Sequence, residues 1–276
     1  MGLKKNLRRL KFRGKVFVLD TVDSILGSRP PLVPPRWLNH DGITFDGADE
    51  TVQMLKDYAG LTRDVAILDL GCGIGRIASS LTKELSPEGR YVGVDIVERA
   101  IDWMRDAYRP YPNFSFHHLD VHSSAYNPQG RLKTDEIDFA FLGDQKFDIV
   151  FMISVFTHLY PQHVRHYLNL IRGILKPDGR LFTSVFINDD FAKERQRLGE
   201  ETRQKLTSRN FRFVGDGFYA PRSANPELAV AFDPLQIEDM WSGAGMKLEQ
   251  PFRYGSWCGR PGAHDFYQDV IISRPA

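Results

Sequence analysis

The sequence feature that most limits the fold of this chain is a glycine-rich segment directly after a short apolar run. The run is Val65-Ala66-Ile67-Leu68-Asp69-Leu70, and Gly71-Cys72-Gly73-Ile74-Gly75 follows it. A short apolar run ended by glycines is typical of a buried parallel strand. We predict a helix over the next residues, Arg76–Leu85. A strand, a tight glycine loop and a helix in this order indicate an α/β fold in which backbone N–H groups and the helix N-terminus face a ligand.

Strand-like and helix-like segments alternate through the centre of the chain. This alternation predicts a doubly wound, mostly parallel, Rossmann-like α/β sheet. Near the C-terminus no helix fits between the strand-like runs Lys247–Tyr254 and Phe266–Ser273, so we expect them to pair antiparallel at the end of the sheet. The other predicted elements are helices at Asp49–Leu61, Glu98–Tyr108, about Pro161–Leu175 and Pro234–Gly243, and strands at Tyr91–Ile96, Phe114–Leu119, Ile149–Ile153 and Leu181–Ile187.

Prolines and long connections divide the chain. Four prolines within residues 28–36 exclude a regular helix or a central strand there, so we predict a basic arm and linker over residues 1–36. Residues 37–276 then form one domain. The long connections 121–146 and 188–233 interrupt the alternation, and we expect them to form a substrate cap. In the second we predict a helix at Phe191–Leu206, followed by an apolar flap.

The distribution of charge limits the partners that we expect. The chain has 36 basic and 35 acidic residues, but residues 1–15 carry seven basic side chains and no acidic one, which leaves a formal charge of −6 on the rest. An acidic body is a poor match for a nucleic acid, so we expect a small-molecule partner and no nucleic acid. The arm is either a solvated tail or a peripheral contact with an anionic membrane. The sequence does not indicate an oligomeric state.

Composition excludes several other classes of protein. The longest apolar stretches, such as Ile149–Ile153, are far shorter than the roughly 20 residues of a membrane-spanning helix. The N-terminus lacks the pattern of a secretory signal. Cys72 and Cys258 are too few for a disulfide framework or a four-thiolate zinc site. We therefore expect a cytoplasmic protein, with membrane association through the arm as the alternative.

The spacing of the glycines separates two classes of ligand. A dinucleotide loop has the pattern G-x-G-x-x-G, whereas counting from Gly71 places Arg76 at the sixth position. Asp69 precedes the loop and would repel a pyrophosphate, but it suits a ligand with an ammonium group. Asp95 ends the next predicted strand, 20 residues after Gly75, where a carboxylate can bind both hydroxyls of a ribose. A nicotinamide dinucleotide, and with it an oxidoreductase, is therefore disfavoured.

These residues resemble the class I S-adenosylmethionine-dependent methyltransferases. The segment D-x-G-x-G-x-G at residues 69–75 and the acid Asp95 correspond to the first two motifs of that family. Looser matches follow at Leu119-Asp120-Val121, at residues 147–159 and at Lys176-Pro177-Asp178-Gly179. The resemblance covers about residues 49–187, and it implies an enzyme with S-adenosylmethionine as cofactor.

The resemblance also implies a place for each part of the cofactor. Asp69 and the loop glycines would surround the methionine moiety, and Asp95 would hold the ribose hydroxyls. Asp120 would accept from the adenine amino group, Ile96 would pack beside the adenine, and Ser154 would line the methionine end. The implied cofactor-binding set is Asp69, Gly71, Cys72, Gly73, Gly75, Asp95, Ile96, Asp120, Val121 and Ser154.

The chemistry of methyl transfer suggests a smaller set of catalytic and substrate residues. An acceptor hydroxyl needs a base, and His158, just past the fourth predicted strand, is the candidate; its alternative role is to pin the loop. Tyr160 is a candidate for orienting the substrate. In the C-terminal connection, Trp257 and Arg260 are candidates for substrate contact, with Arg260 on an anion; the alternative there is a hairpin connection with a buried aromatic residue.

We therefore expect a methyltransferase that acts on a hydroxyl of a small molecule, such as a sugar, a glycolipid or another secondary metabolite. N-methylation of a small amine and a non-catalytic S-adenosylmethionine-binding protein stay open. We predict no metal site, because His163 and His166 lack a third ligand and Ser154 stands near the position where metal-dependent relatives carry an acid. The signature of enzymes that methylate the amino groups of nucleic acids is absent from residues 153–156.

Overall fold

The computed structural model describes residues 16, 18–23, 25–39, 48–215, 217–221 and 226–276. The basic arm, residues 1–15, and its predicted membrane contact lie outside this part of the chain. Residues 28–36 of the predicted linker form turns and irregular backbone, without helix or strand. The division of the chain at residue 36 stays a prediction. Among the helices of the described residues, none is long and apolar enough to cross a membrane.

Ten strands form two sheets in the described part of the chain. In chain order they are β1 (Ala66–Leu70), β2 (Arg90–Asp95), β3 (Phe114–His118), β4 (Phe147–Met152), β5 (Leu175–Val185), β6 (Arg212–Gly215), β7 (Phe218–Ala220), β8 (Ala231–Phe232), β9 (Met246–Arg253) and β10 (Asp269–Pro275). The larger sheet has the order β3-β2-β1-β4-β5-β10-β9. Strands β1 to β5 in it are parallel, and β10 pairs antiparallel with both β5 and β9. The predicted Rossmann-like sheet with a C-terminal antiparallel hairpin is thus confirmed.

Helices cover both faces of the larger sheet. From residue 48 on, the α-helices are α1 (Ala48–Ala59), α2 (Arg76–Leu81), α3 (Glu98–Ala107), α4 (Pro161–Ile174), α5 (Asp190–Thr202) and α6 (Pro234–Gly243). Of these, α5 packs in a separate cluster rather than on the sheet. Successive residues of a strand point to opposite faces, so Leu68 packs in one core layer with α4 and α6, whereas Ile67 packs in the other with α1, α2 and α3. Two buried layers hold the sheet between them, as expected for a doubly wound fold.

Two predicted boundaries differ from the structure for local reasons. Helix α2 ends at Leu81 rather than Leu85, because the N–H groups of Lys83 and Glu84 bond to carbonyls three residues back and tighten the chain into turns. Strand β5 begins at Leu175, before the Lys-Pro-Asp-Gly turn, because Leu175 already pairs with Phe147 of β4.

The connection 188–233 forms a helix and a small sheet. Helix α5 ends at Thr202 because Arg203 takes a left-handed backbone conformation and caps it. The predicted apolar flap is the antiparallel sheet β6-β7-β8. It is joined to the larger sheet through a bridge between Ile187 and Phe232. The small sheet therefore starts next to the carboxyl end of β5, at the edge where ligands bind in open parallel sheets.

A buried carboxylate ties the C-terminal hairpin to the end of β5. Asp269, 1% exposed, accepts from the backbone N–H of Ile187 at 2.6 Å and of Gly255 at 2.8 Å, and from the indole N–H of Trp257 at 2.7 Å. Burial raises the pKa of Asp269 to about 6, although these three donors favour the ionised form. The side chain of Asp269 thus joins β10, the end of β5 and residues 255–257 at the edge of the sheet where ligands bind.

We predict that Asp269→Asn lowers the free energy of unfolding by about 2 kcal/mol or more, because the amide has one acceptor oxygen and leaves a buried donor unsatisfied. Urea denaturation at pH 7.5 measures this. Asp265→Asn is the matched control, because Asp265 is exposed, and a change of at most about 0.5 kcal/mol is expected there. Equal stability of Asp269→Asn and the wild type would contradict the claim that Asp269 holds the C-terminal hairpin against the end of β5.

Candidate active site

The glycine loop after β1 adopts a conformation that suits glycine at three positions. Gly71, Gly73 and Gly75 have φ values of +88°, +57° and +79°. A Cβ on Gly71 would clash with Val155, and one on Gly75 would lie 2.9 Å from the sulfur of Met104. A Cβ on Gly73 would meet nothing within 4 Å. Gly71 and Gly75 are therefore needed for packing, whereas Gly73 borders open space in which a ligand can approach the backbone.

Asp95, at the end of β2, lies beside this open space. Its carboxylate accepts from the N–H of Gly73 and from that of Val97, both at 2.8 Å, and its side chain is largely buried. Burial raises the pKa of Asp95, and the two backbone donors oppose this rise. Each carboxylate oxygen retains a second acceptor position. The place and the free acceptor capacity fit the ribose hydroxyls of S-adenosylmethionine.

Asp69 supports the loop from inside the core. Its side chain is 2% exposed and accepts from the hydroxyl of Tyr91 at 2.7 Å. Burial raises the pKa of Asp69 to about 8, and the hydrogen bond from Tyr91 and the guanidinium of Arg76 only partly offset this rise. The carboxyl is therefore largely protonated at neutral pH, and a cationic ligand group at the loop would favour its ionised form. The implied contact of Asp69 with the methionine moiety stays a prediction.

Asp120 and Ile96 lie at the ends of β3 and β2, on the implied adenine side. Asp120 bonds to the guanidinium Nε of Arg131 at 2.5 Å and accepts from Asn127, and the bond to Arg131 lowers the pKa of its carboxyl. Ile96 is half-buried, and its carbonyl lies 3.2 Å from Nε2 of His118. Asn127 and Arg131 belong to the connection that begins at residue 121. This connection therefore folds back onto Asp120 and holds its side chain by hydrogen bonds.

Cys72 and Val121 of the implied set point into the core. The side chain of Val121 is 4% exposed and that of Cys72 is 7% exposed. Burial raises the pKa of the Cys72 thiol well above its ordinary value, so it stays protonated and unreactive. Any ligand contact of these two residues would be made through their backbone.

His158 lies at the end of a single 3-10 turn, Phe156–His158, that follows β4. Its Nδ1 is 2.8 Å from the carbonyl oxygen of Glu227, so this nitrogen carries the proton and Nε2 of the neutral ring is free to accept one. Burial lowers the pKa of His158 and keeps the ring neutral at pH 7. The ring of Tyr126 packs edge-on against it, with centroids 5.8 Å apart. Residues of both long connections therefore surround the candidate base.

The remaining residues near the end of β4 are Ser154 and Tyr160. Ser154 has a left-handed backbone with φ +58°, which is unusual for a residue with a side chain. The ring of Tyr160 lies 5.6 Å from that of Phe218 in the small sheet, and the residue is half-buried. The structure thus brings Ser154, His158 and Tyr160 to the same sheet edge as the glycine loop.

The two residues predicted in the C-terminal connection have partners within the chain. Trp257 is 1% exposed and donates to Asp269, so its side chain packs inside the chain, and its contact with a substrate stays a prediction. Arg260 donates to Asp189 at 2.7 Å and stacks on the ring of Tyr254 at 4.1 Å. Its guanidinium is thus paired with an acid of the same chain, and its contact with a substrate anion stays a prediction.

The two histidines considered for metal binding lie on α4. His166 has its Nε2 2.8 Å from the carbonyl of Ile137, and burial lowers the pKa of His163. Within the described residues, no three His, Cys, Asp or Glu side chains are grouped as ligands of a metal ion.

Several residues of the site carry no signal in the sequence. Tyr91 has the pattern of an ordinary core residue within a strand, and its bond to Asp69 appears only once β1 and β2 pair. Glu227 contacts His158 through its backbone carbonyl, which no side-chain pattern can show. Gln268 meets Ser154 across 114 residues of chain. Only the tertiary structure identifies these three.

Comparisons with known proteins agree with this geometry. The family model described as "Methyltransferase domain" matches residues 68–181. A tRNA N(3)-cytidine methyltransferase of Danio rerio is 24% identical over 75% of this chain and 52% of its own length. A malonyl-[acyl-carrier protein] O-methyltransferase of Bacillus cereus is 25% identical over 63% of this chain and 56% of its own. The chain spans about half the length of the curated relatives it matches.

A solved structure shares the fold. The CcbJ methyltransferase from Streptomyces caelestis superposes with a TM-score of 0.53 at 18% identity, covering 86% of this chain and 92% of that one. At this identity, the likeness concerns the fold alone.

One expectation about partners is wrong. Several of the similar proteins are tRNA cytidine methyltransferases, and these act on a nucleic acid, so the exclusion of nucleic acid from the partners of this chain does not hold. The reason is physical: the net charge of a whole chain does not describe its local surfaces, and a basic patch can bind a polyanion on an acidic body.

The raised pKa of Asp69 predicts how stability depends on pH. The folded state holds this proton more tightly than the unfolded chain, whose carboxyl has the ordinary pKa of 3.8. The stabilisation that this bound proton gives the folded state is therefore complete below pH 3.8 and is lost as the pH rises through about 8. Between pH 6 and 8 the wild type should lose roughly 2 kcal/mol more than Asp69→Asn, which does not ionise.

Urea denaturation of the wild type and Asp69→Asn at pH 6, 7, 8 and 9 measures this difference. In Asp69→Asn the side-chain amide oxygen still accepts from the hydroxyl of Tyr91. The two proteins therefore share this hydrogen bond and differ in whether the side chain can ionise. Parallel pH curves for the two proteins would mean that Asp69 is already ionised at pH 6.

Proposed function

This chain belongs to the class I S-adenosylmethionine-dependent methyltransferases, and we propose that it methylates an acceptor whose reacting atom lies beside Nε2 of His158. The observation that carries the proposal is the bond between Nδ1 of His158 and the carbonyl of Glu227. It orients a neutral imidazole at the carboxyl end of β4, the sheet edge where the glycine loop and Asp95 also lie.

The residues around the loop have separate roles in binding the cofactor. Asp95 offers acceptors for the ribose hydroxyls, and Gly73 leaves the space for a close approach of the ligand to the backbone. Asp69 supplies a buried carboxyl that gains by ionising when a cation binds nearby. When bound, S-adenosylmethionine supplies a methyl group on a positively charged sulfur, and orienting the acceptor in line with it removes much of the barrier.

The first candidate acceptor is a hydroxyl of a small molecule. A hydroxyl must lose its proton during methyl transfer, and His158 can take it at Nε2 because burial keeps the ring neutral. The N–H on Nδ1 then donates to Glu227 throughout, so the ring keeps its orientation while it gains a proton. Tyr126 and Tyr160 supply aromatic surface near the base, from which an acceptor with an apolar face would benefit.

The second candidate acceptor is a ring nitrogen of RNA. The similarity to tRNA N(3)-cytidine methyltransferases over 75% of this chain favours it. The N3 atom of cytosine carries a lone pair and no proton, so its methylation needs no base. The two candidates therefore differ in their dependence on His158, and this difference separates them by experiment.

We predict that the wild type binds S-adenosylhomocysteine and that Asp95→Ala abolishes this binding, because the variant loses the ribose acceptor and frees the N–H of Gly73. Gly73→Ala should weaken binding by at least about tenfold, since its Cβ occupies the ligand space and a left-handed alanine costs about 1 kcal/mol. Isothermal titration calorimetry measures both. Asp102→Ala, which removes an exposed acid of α3, should bind normally; normal binding by Asp95→Ala would refute the assignment of the site.

We predict that His158→Gln lowers the rate of methyl transfer to a hydroxyl by about 10²- to 10⁴-fold at pH 7, because the amide cannot take a proton. Transfer of tritiated methyl from S-adenosylmethionine to a metabolite pool and to total tRNA measures the rates on the two acceptor classes. His166→Gln is the control, because that ring also faces a carbonyl but lies on α4.

The results distinguish the candidates. A tritiated small-molecule product whose rate falls in His158→Gln supports the first candidate. Tritiated methyl transfer to tRNA at a rate that falls less than about tenfold in the same variant supports the second candidate, since no proton is removed. A full rate of hydroxyl methylation in His158→Gln would remove His158 from the mechanism.

A further inference from the structure

A closed set of hydrogen bonds joins the end of β4 to β5 and β10. The backbone N–H of Ser154 donates to the hydroxyl of Ser184 at 2.8 Å. That hydroxyl donates in turn to the side-chain carbonyl of Gln268 at 2.6 Å, and the hydroxyl of Ser154 donates to the same oxygen at 3.0 Å. Gln268 and Ser184 are buried, with exposures of 8% and 0%. One amide oxygen therefore orients both serines.

The set of bonds holds a backbone conformation that Ser154 would not adopt readily by itself. Its φ of +58° lies in the left-handed region, which is unfavourable for a residue with a Cβ. Such a conformation persists only where the surroundings impose it, and it is often found at functional sites. Here the imposed turn begins directly after β4 and directs the chain toward the glycine loop.

The residues after this turn reach the glycine loop and carry the candidate base. Val155 packs on Gly71 so closely that no Cβ fits there, and the turn Phe156–His158 carries the candidate base. A different conformation at Ser154 would move Val155 away from the glycine loop. Gln268, directly before β10, is thus connected to the glycine loop through two short steps, Ser154 and Val155.

We propose that Gln268 is a positioning residue: its amide oxygen holds Ser154 in the left-handed turn and so keeps Val155 against the glycine loop. This inference rests on the proposed function, because the loop is taken to bind the cofactor. Gln268 itself is placed behind Ser154 and touches neither Val155 nor the loop in the bonds described above. Its effect on the ligand is therefore indirect and passes through the backbone of Ser154.

Gln268→Leu tests the proposal, with isothermal titration of S-adenosylhomocysteine as the measurement. Leucine fills a similar volume but accepts no hydrogen bond, so the Kd should rise about tenfold. Gln268→Glu should restore affinity to within about threefold of the wild type, since a carboxylate accepts from both hydroxyls. If Gln268→Leu does not fold, Ser184→Ala removes the partner of the Ser154 N–H and should weaken binding in the same way.

A control separates positioning from loss of stability. Ser273 is fully buried at the other end of β10 and accepts from the indole N–H of Trp241 at 2.9 Å. Ser273→Ala therefore breaks a buried hydrogen bond of the same strand, far from the loop, and it should lower the melting temperature while leaving the Kd unchanged. An equal rise of the Kd in Ser273→Ala would overturn the proposal.

A double-mutant cycle tests the route through Ser154. Glycine adopts the left-handed conformation without strain and has no hydroxyl, so in a Ser154→Gly background Gln268→Leu should change the Kd less than about threefold. An undiminished effect in that background would overturn the route. Wild-type affinity in Gln268→Leu alone would overturn the positioning role, whereas a wild type that binds no S-adenosylhomocysteine would overturn the cofactor assignment on which the proposal rests.

Discussion

The parallel pairing of β1 with β4 is the constraint on which the rest of the site depends. The two strands are neighbours in the sheet, but the chain leaves β1 toward β2 on one side and leaves β4 toward β5 on the other. Connections that diverge in this way leave the sheet edge between them uncovered, and in open α/β sheets ligands bind at such a place. The glycine loop lies on one side of this edge, and the turn with Ser154 and His158 lies on the other; these two segments are the two walls of the candidate site.

Buried polar groups then hold the two walls in place. Asp95 binds the N–H of Gly73, Asp69 is held under the loop by Tyr91, and Gln268 and Asp269 fix the segments that follow β4 and β5. Each of these side chains is removed from water and has its partners within the chain. A buried carboxyl without partners would be strongly destabilising, so the same bonds that build the site also allow the acids to be buried.

Both long connections contact His158, the candidate base. Tyr126 of the first packs on His158, and Glu227 of the second accepts its ring proton. The second connection lies outside the segment 68–181 that matches the methyltransferase family model, whereas the first lies within it. The glycine loop, Asp95 and His158 all lie within the matched segment, whereas Glu227, which orients the ring of His158, lies outside it.

The sequence by itself determined the order and type of the central elements, because apolar runs, helical spacing and glycines act over a few neighbouring residues. It also determined the positions of Asp69, Gly71, Gly73, Gly75 and Asp95 at the sheet edge. Tertiary structure alone decided that Trp257 is buried, that Arg260 is paired with Asp189, and that Gln268 reaches Ser154. These contacts join residues far apart in the chain, and their strength depends on burial and distance, which no local pattern of residues contains.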